Sequence, residues 1–165
     1  MTDDFLRKTL RLDSLASDFC ATKLKWLPPE LSEKEPDYTK RVIYPQFLEF
    51  VIMLNDKRVR LNADGALSRP LPIILGDQKF YPDLSVDFEG SRTISFETKF
   101  IAESGFSGNL ATAIGQGLIY KASGYKSAHV LLVSSTGHPV LGVSDLEEVN
   151  LTLSRVSVRV HQLSR

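Results

Sequence analysis

The chain has one cysteine, one tryptophan, two methionines and no net charge, with 20 Lys and Arg against 20 Asp and Glu in 165 residues. Each shortage excludes something. A single thiol, Cys20, leaves no partner for an intramolecular disulfide and no second thiolate for a cysteine-based zinc cluster. It suits a reducing compartment, so a cytoplasmic location is expected. Neutral net charge argues against a protein that coats nucleic acid through bulk electrostatics. The longest apolar run, Phe47 to Leu54, is interrupted by Glu49 and is far too short to cross a bilayer, so no membrane is expected as a partner. The acidic start, Met1-Thr2-Asp3-Asp4, does not read as a signal peptide. No internal repeat or low-complexity tract occurs, nor a phosphate-cradling glycine loop, a nucleophilic serine elbow or a dinucleotide fingerprint. What is there is an ordinary globular composition, 42% hydrophobic and 24% charged. At this length it predicts a single domain, 1–165, with a core of its own.

Periodicity divides the chain. Leu12, Leu15, Ala16 and Phe19 fall at helical spacing and predict a helix over Asp4 to Lys25. Pro28-Pro29 and the acidic stretch Glu30 to Asp37 predict a loop. Pro45 suits the first position of a second helix running to about Asn55. Lys57 to Gly65 reads as polar and turn-rich, and Leu71 to Leu75 as a short strand. Tyr81 to Phe88 and Thr93 to Ile101 alternate apolar and polar residues around Glu89-Gly90-Ser91, which predicts a β-hairpin. A helix is expected from Asn109 to Ser123, ending at Gly124, then a buried strand over Ala128 to Ser134 and one more strand over Val156 to Val160. The order gives an α/β (α+β) domain with a central mixed β-sheet flanked by helices.

The hairpin can be used quantitatively. With a three-residue loop, opposed residues have numbers summing to 180, which sets Asp83 against Glu97 and Tyr81 against Lys99. Opposed side chains stand roughly 5 Å apart on one face. The other face pairs Leu84 with Phe96 and Val86 with Ile94, a continuous apolar surface, whereas a two- or four-residue loop would mix the faces. Two carboxylates and one ammonium therefore share one side of a sheet. Like charges that close need a cation between them. Lys99 itself could be that cation, giving a salt-bridged hairpin in a plain interaction domain. Alternatively the acids hold a divalent ion such as Mg²⁺, which takes hard oxygen ligands and activates a bound water beside a phosphoryl group.

Pro82-Asp83, a fourteen-residue step, and Glu97-Thr98-Lys99 resemble the signature of the PD-(D/E)XK nuclease superfamily, and Gln116-Gly117-Leu118-Ile119-Tyr120 is similar to the Q-x-x-x-Y element of its RecB-like branch. The resemblance implies a restriction-endonuclease-like core over 45–134, with 1–40 as an N-terminal helical extension and 135–165 as a C-terminal β extension. It implies a Mg²⁺-dependent endonuclease acting on DNA, with Mn²⁺ able to substitute, in restriction, anti-phage defence or repair. Asp83 and Glu97 would bind the metal, Lys99 would serve the attacking water, and Gln116 would support the site. The superfamily often adds an acid from the helix before the hairpin, for which Glu49 is the candidate and Asp87 the alternative. Tyr120, Lys121 and Lys126 would face nucleic acid. The competing reading is a non-catalytic DNA- or protein-binding subunit retaining the fold.

Other residues carry less. His129, His138 and His161 show no ligand spacing. Gly115 and Gly117 inside a helix imply close approach by another backbone, the sheet or a bound strand, because each costs about 1 kcal/mol relative to alanine. Arg41, Lys57, Arg58 and Arg60 form the one net-basic stretch, a candidate DNA-facing edge. Neutrality and small size predict a homodimer or a partner protein that supplies specificity.

Overall fold

The structure, a computed structural model, describes residues 3–64, 68–102 and 106–165. Helix α1 (Asp3–Thr22) is followed by a continuous helical segment made of α2 (Glu35–Tyr38), a π-helical turn (Thr39–Ile43) and α3 (Tyr44–Leu54). Strand β1 (Val59–Ala63), the small ribbon β2 (Ile73–Leu75) and β3 (Gln78–Phe80), and the hairpin β4 (Leu84–Phe88) and β5 (Ser91–Ile101) come next. Helix α4 (Phe106–Ala122), β6 (Ser127–Ser134), α5 (Val143–Ser154) and β7 (Val158–Leu163) complete the chain.

The main sheet has the order β1-β4-β5-β6-β7. Its first three strands are antiparallel, and β5, β6 and β7 run parallel, joined by the crossover helices α4 and α5. This is an α+β domain with a mixed central sheet and helices on both faces. Alternation along each strand builds two cores. Leu84, Val86, Ile94, Phe96, Leu131 and Val133 face α1 and α3, which contribute Leu12, Ala16, Phe19, Phe47 and Phe50. Ile101, Ala128, Val130, Leu132, Val158 and Val160 face α4 and α5. Each such side chain contributes roughly 1.5–3 kcal/mol when fully buried, so both layers are needed to cover the sheet. Among the described residues no helix is long and apolar enough to cross a membrane.

The expected hairpin register holds at the end that matters: Leu84 pairs with Phe96, Ser85 with Ser95 and Val86 with Ile94. The turn itself is tighter than expected. Glu89 and Gly90 both take positive φ (51° and 75°), the requirement of a two-residue hairpin turn, and Phe88 pairs with Ser91 across a bulge. The bulge absorbs the one-residue difference and keeps both faces intact.

Three local expectations are corrected. Lys57 to Gly65 is largely an edge strand, because Val59, Leu61 and Ala63 turn to the core while Arg60 and Asn62 turn away; Gly65 lies outside the described residues. Helical structure begins at Glu35, inside the expected loop, with Pro36 in the first turn where its missing N–H costs nothing. The C-terminal region is not β alone. Helix α5 packs Leu146, Val149 and Leu153 on the sheet, and Asn150 both accepts from Val160 N and donates to Val160 O (2.7 and 2.8 Å), covering the edge strand β7.

Candidate functional site

Asp83 immediately precedes β4. Its carbonyl accepts the N–H of Asp64, just after β1, at 3.0 Å, and its Oδ2 accepts the N–H of Thr98 at 2.7 Å. The carboxyl is thereby held against β5 at Thr98, between Glu97 and Lys99; the paired ladder stops at Leu84 and Phe96, short of the expected Asp83–Glu97 and Tyr81–Lys99 pairs. Glu97 is 4% exposed. Its Oε2 accepts from the Tyr120 hydroxyl at 2.7 Å, and its Oε1 lies 3.4 Å from Lys99 Nζ. The Tyr120 oxygen is also 3.1 Å from the Tyr81 carbonyl; the nearer carboxylate is the stronger acceptor for its single proton. Lys99 Nζ in turn lies 3.6 Å from Glu35 Oε1, while Glu35 Oε2 accepts the N–H of Phe100 at 2.8 Å.

The electrostatics follow from burial and crowding. Burial pushes both the Asp83 and the Glu97 carboxyls above the ordinary carboxylate range. Asp83 is the next largest influence on Glu97, in the same direction; Glu35 and Asp64 act likewise on Asp83. The Thr98 N–H, Tyr120 and Lys99 oppose these effects without overcoming them. Burial disfavours the Lys99 charge, but Glu97, Glu35 and Asp83 together hold the ammonium above its usual value. The same burial, with the Glu97 charge beside it, raises the Tyr120 phenol, so that phenol is a donor. One turn before Tyr120 on the same face of α4, the Gln116 Oε1 is buried with no hydrogen-bond partner.

This donor set is hard oxygen only, with a lysine beside it. It fits a small divalent cation held by Asp83 and Glu97, which would supply the positive charge that two crowded carboxylates, one buried and one half-buried, need in order to ionise.

Several expected site residues lie elsewhere. Glu49 is exposed on α3, because Phe47, Phe50, Val51 and Leu54 form the inward stripe of that helix. The acid from the preceding helical segment that meets Lys99 is Glu35, whose position depends on how α2 crosses the end of β5. Only the Glu-Pro helix start hinted at its setting. Asp87 lies four residues along β4, about 13 Å away at strand spacing, where its Oδ2 accepts from Asn62 at 2.8 Å. Tyr120 is 1% exposed and positions Glu97, so it does not face nucleic acid. Lys121 is half-buried in the last turn of α4. Lys126 is exposed, but its backbone N–H bonds Thr93 O, four residues back along β5 from Glu97 and thus about 13 Å from it at strand spacing. Two of the four residues of the basic edge are paired with acids: Arg41 with Glu33 (2.7 Å) and Glu30 (3.3 Å), and Arg58 with Asp56 (2.6 Å) and Glu89 (3.4 Å). Glu103, the next acid along the sequence, lies outside the described residues.

No family model matches the chain, and no curated protein and no solved structure is significantly similar to it.

Proposed function

We propose that this chain is a Mg²⁺-dependent nuclease of the PD-(D/E)XK type, with a restriction-endonuclease-like core, that hydrolyses DNA phosphodiester bonds. One observation carries the reading: Asp83 and the buried Glu97 meet in a half-buried cluster with Lys99, whose Nζ stands 3.4 Å from Glu97. Asp83 and Glu97 would hold the ion, and Mn²⁺ would serve in its place. When bound, the ion lowers the pKa of a water and neutralises charge on the phosphoryl group. Lys99 is held protonated by its acidic neighbours. Beside the ion it would orient or deprotonate the attacking water and stabilise the negative charge that develops. The Tyr120 hydroxyl fixes the direction of the Glu97 carboxylate. The unpaired Gln116 Oε1 is an acceptor for the attacking water or a second orienting contact. Cleavage at P–O3′, leaving a 5′-phosphate, follows from the sequence resemblance.

Zero net charge gives the isolated chain little nonspecific hold on DNA, so a homodimer or a partner protein would supply grip and specificity. Restriction, anti-phage defence and repair all fit such an assembly. The competing reading, a non-catalytic DNA- or protein-binding subunit, draws on Lys99 already bridging Glu97 and Glu35. A cleavage assay separates the two. With Mg²⁺ or Mn²⁺ the wild type cuts supercoiled plasmid or single-stranded DNA, and Asp83→Ala and Lys99→Ala each lose at least about 100-fold. Absence of cleavage by the wild type on both substrates, or equal cleavage by the variants, removes the catalytic reading and leaves the binding subunit.

A further inference from the structure

The three histidines looked unrelated in sequence, and Cys20 looked solitary. The fold brings two of the histidines and the cysteine together. Odd-numbered residues of the neighbouring parallel strands β6 and β7 face α1, which places His129 and His161 on one side of the sheet. Cys20, in the last turns of α1, comes down onto them. One ligand-type atom from each of Cys20, His129 and His161 lies within 4.8 Å of the other two, and among the described residues this is the one such triad of His, Cys, Asp or Glu. His129 Nδ1 and His161 Nε2 are 3.0 Å apart, with their rings nearly parallel. All three residues are more than nine-tenths buried, with exposures of 5%, 1% and 8%.

We propose that Cys20, His129 and His161 form a second metal site, for Zn²⁺ or a borderline cation of the same class, that ties α1 to β6 and β7. The donor chemistry selects the ion. Thiolate and imidazole nitrogen suit Zn²⁺, whereas Mg²⁺ prefers the carboxylate oxygens on the opposite face of the sheet. Zn–N bonds of about 2.0–2.1 Å and Zn–S bonds of about 2.3 Å set tetrahedral ligands roughly 3.3–3.7 Å apart, so the triad closes on an ion with side-chain shifts of about 1 Å.

A second observation points the same way. The other nitrogen of His129, Nε2, lies 3.0 Å from Asp13 Oδ1, and the Oδ2 of the same carboxylate is 3.3 Å from Arg159. A neutral His129 that donates Nε2–H to Asp13 keeps its lone pair on Nδ1, turned toward His161. This is the carboxylate–histidine arrangement that orients metal-ligating imidazoles. Binding replaces two protons, the one on the Cys20 sulfur and the one on His161 Nε2, which moves to Nδ1 or to solvent. An open groove between α1 and α5, bounded by Ser17, Ala21, Asn150 and Arg159, reaches both Cys20 and His161. Three protein ligands and a groove leave the fourth position to water.

The test is titration of metal-stripped full-length protein with Zn²⁺, against a chromophoric chelator, and with Co²⁺ by absorption. The expected result is one Zn²⁺ per chain bound tightly enough to compete with the chelator, apart from weaker occupancy of the Asp83–Glu97 pair, a thiolate-to-cobalt charge-transfer band with Co²⁺, and a higher Tm on Zn²⁺ addition. Loss of an orienting carboxylate costs about 10–100-fold in affinity, so Asp13→Asn should weaken Zn²⁺ by that amount and Cys20→Ser by about 100-fold or more. Asp83→Asn should bind Zn²⁺ like the wild type. If Cys20→Ser does not fold, the wild-type cobalt spectrum and His161→Asn decide. Absence of Zn²⁺ binding by the wild type, a cobalt complex with no charge-transfer band, or Zn²⁺ lost with Asp83→Asn but kept with Cys20→Ser would overturn the proposal. Each of these outcomes would assign the His129–His161–Asp13 chain to hydrogen bonding alone.

Discussion

At Lys99 two acids compete for one ammonium, Glu97 Oε1 at 3.4 Å and Glu35 Oε1 at 3.6 Å. Glu35 therefore sets how far the lysine leans away from the Asp83–Glu97 pair, and it also adds negative charge that Asp83 feels. Glu49, exposed on α3, has no such position. In the plasmid assay Glu35→Gln is expected to cut about 10-fold or more slowly than wild type, an effect of charge positioning, while Glu49→Gln cuts at the wild-type rate. The reverse order would return the role to α3. Asp83, Glu97 and Lys99 were legible in the sequence because a strand's period of two sets which residues share a face; the expected register holds because the bulge offsets the shorter, two-residue turn. Glu35 was not legible, because which acid of a charged stretch reaches the site depends on the path of α2 across the sheet end. His129 and His161 escaped for a related reason: their meeting needs the parallel register of β6 and β7, and the strand reading stopped at Val160.

At the scale of elements, Gly115 and Gly117 of α4 stand in different surroundings. A Cβ on Gly117 would stand 3.3 Å from Val158 Cγ1, 3.6 Å from Val130 Cγ2 and 3.7 Å from the Ala128 Cβ, so the helix lies directly on β6 and β7 there. A Cβ on Gly115 meets nothing within 4 Å. Close approach by the sheet was the correct inference for Gly117; for Gly115 the structure gives no packing reason. Gly115→Ala should gain about 0.5–1 kcal/mol of stability from helix propensity, and Gly117→Ala should fall about 1–2 kcal/mol below it, read by denaturant unfolding. Equal gains would mean that α4 sits farther from the sheet. The elements missed in sequence share a cause. Strand β1 and helix α5 lie at the two edges of the fold, where the apolar period is thin; α5 has no fully buried residue. Val59, Leu61 and Ala63 are interleaved with Arg60 and Asn62, and α5 starts at Gly142 without a side-chain cap. The hairpin, α4 and β6, with stronger patterns, were readable.

At the scale of the whole molecule, the sheet separates two chemistries: oxygen donors beside α4 at Glu97, and sulfur and nitrogen donors beneath α1 at Cys20. The first carries the functional account, and its electrostatics reach global stability. Asp83 and Glu97 both have folded-state pKa values above their unfolded ones. At these two sites the folded chain thus binds more protons than the unfolded chain, and the contribution of the pair is full below the ordinary carboxylate range and lost as pH rises through the raised values. Neutralising Asp83 removes its own share of that loss and its repulsion of Glu97, leaving the burial of Glu97, and a divalent ion on the ionised pair offsets the loss. The most direct measurement is thermal unfolding of wild type and Asp83→Asn from about pH 5 to about pH 9, with and without Mg²⁺. Without metal, Asp83→Asn should become increasingly more stable than wild type as pH rises. At alkaline pH, Mg²⁺ at about 100 times its Kd should raise the wild-type Tm by about 5 °C or more and leave Asp83→Asn nearly unmoved. A gap between the two proteins that stays flat with pH, together with a Mg²⁺ shift that is absent or equal in both, would contradict a carboxylate pair built to receive a cation.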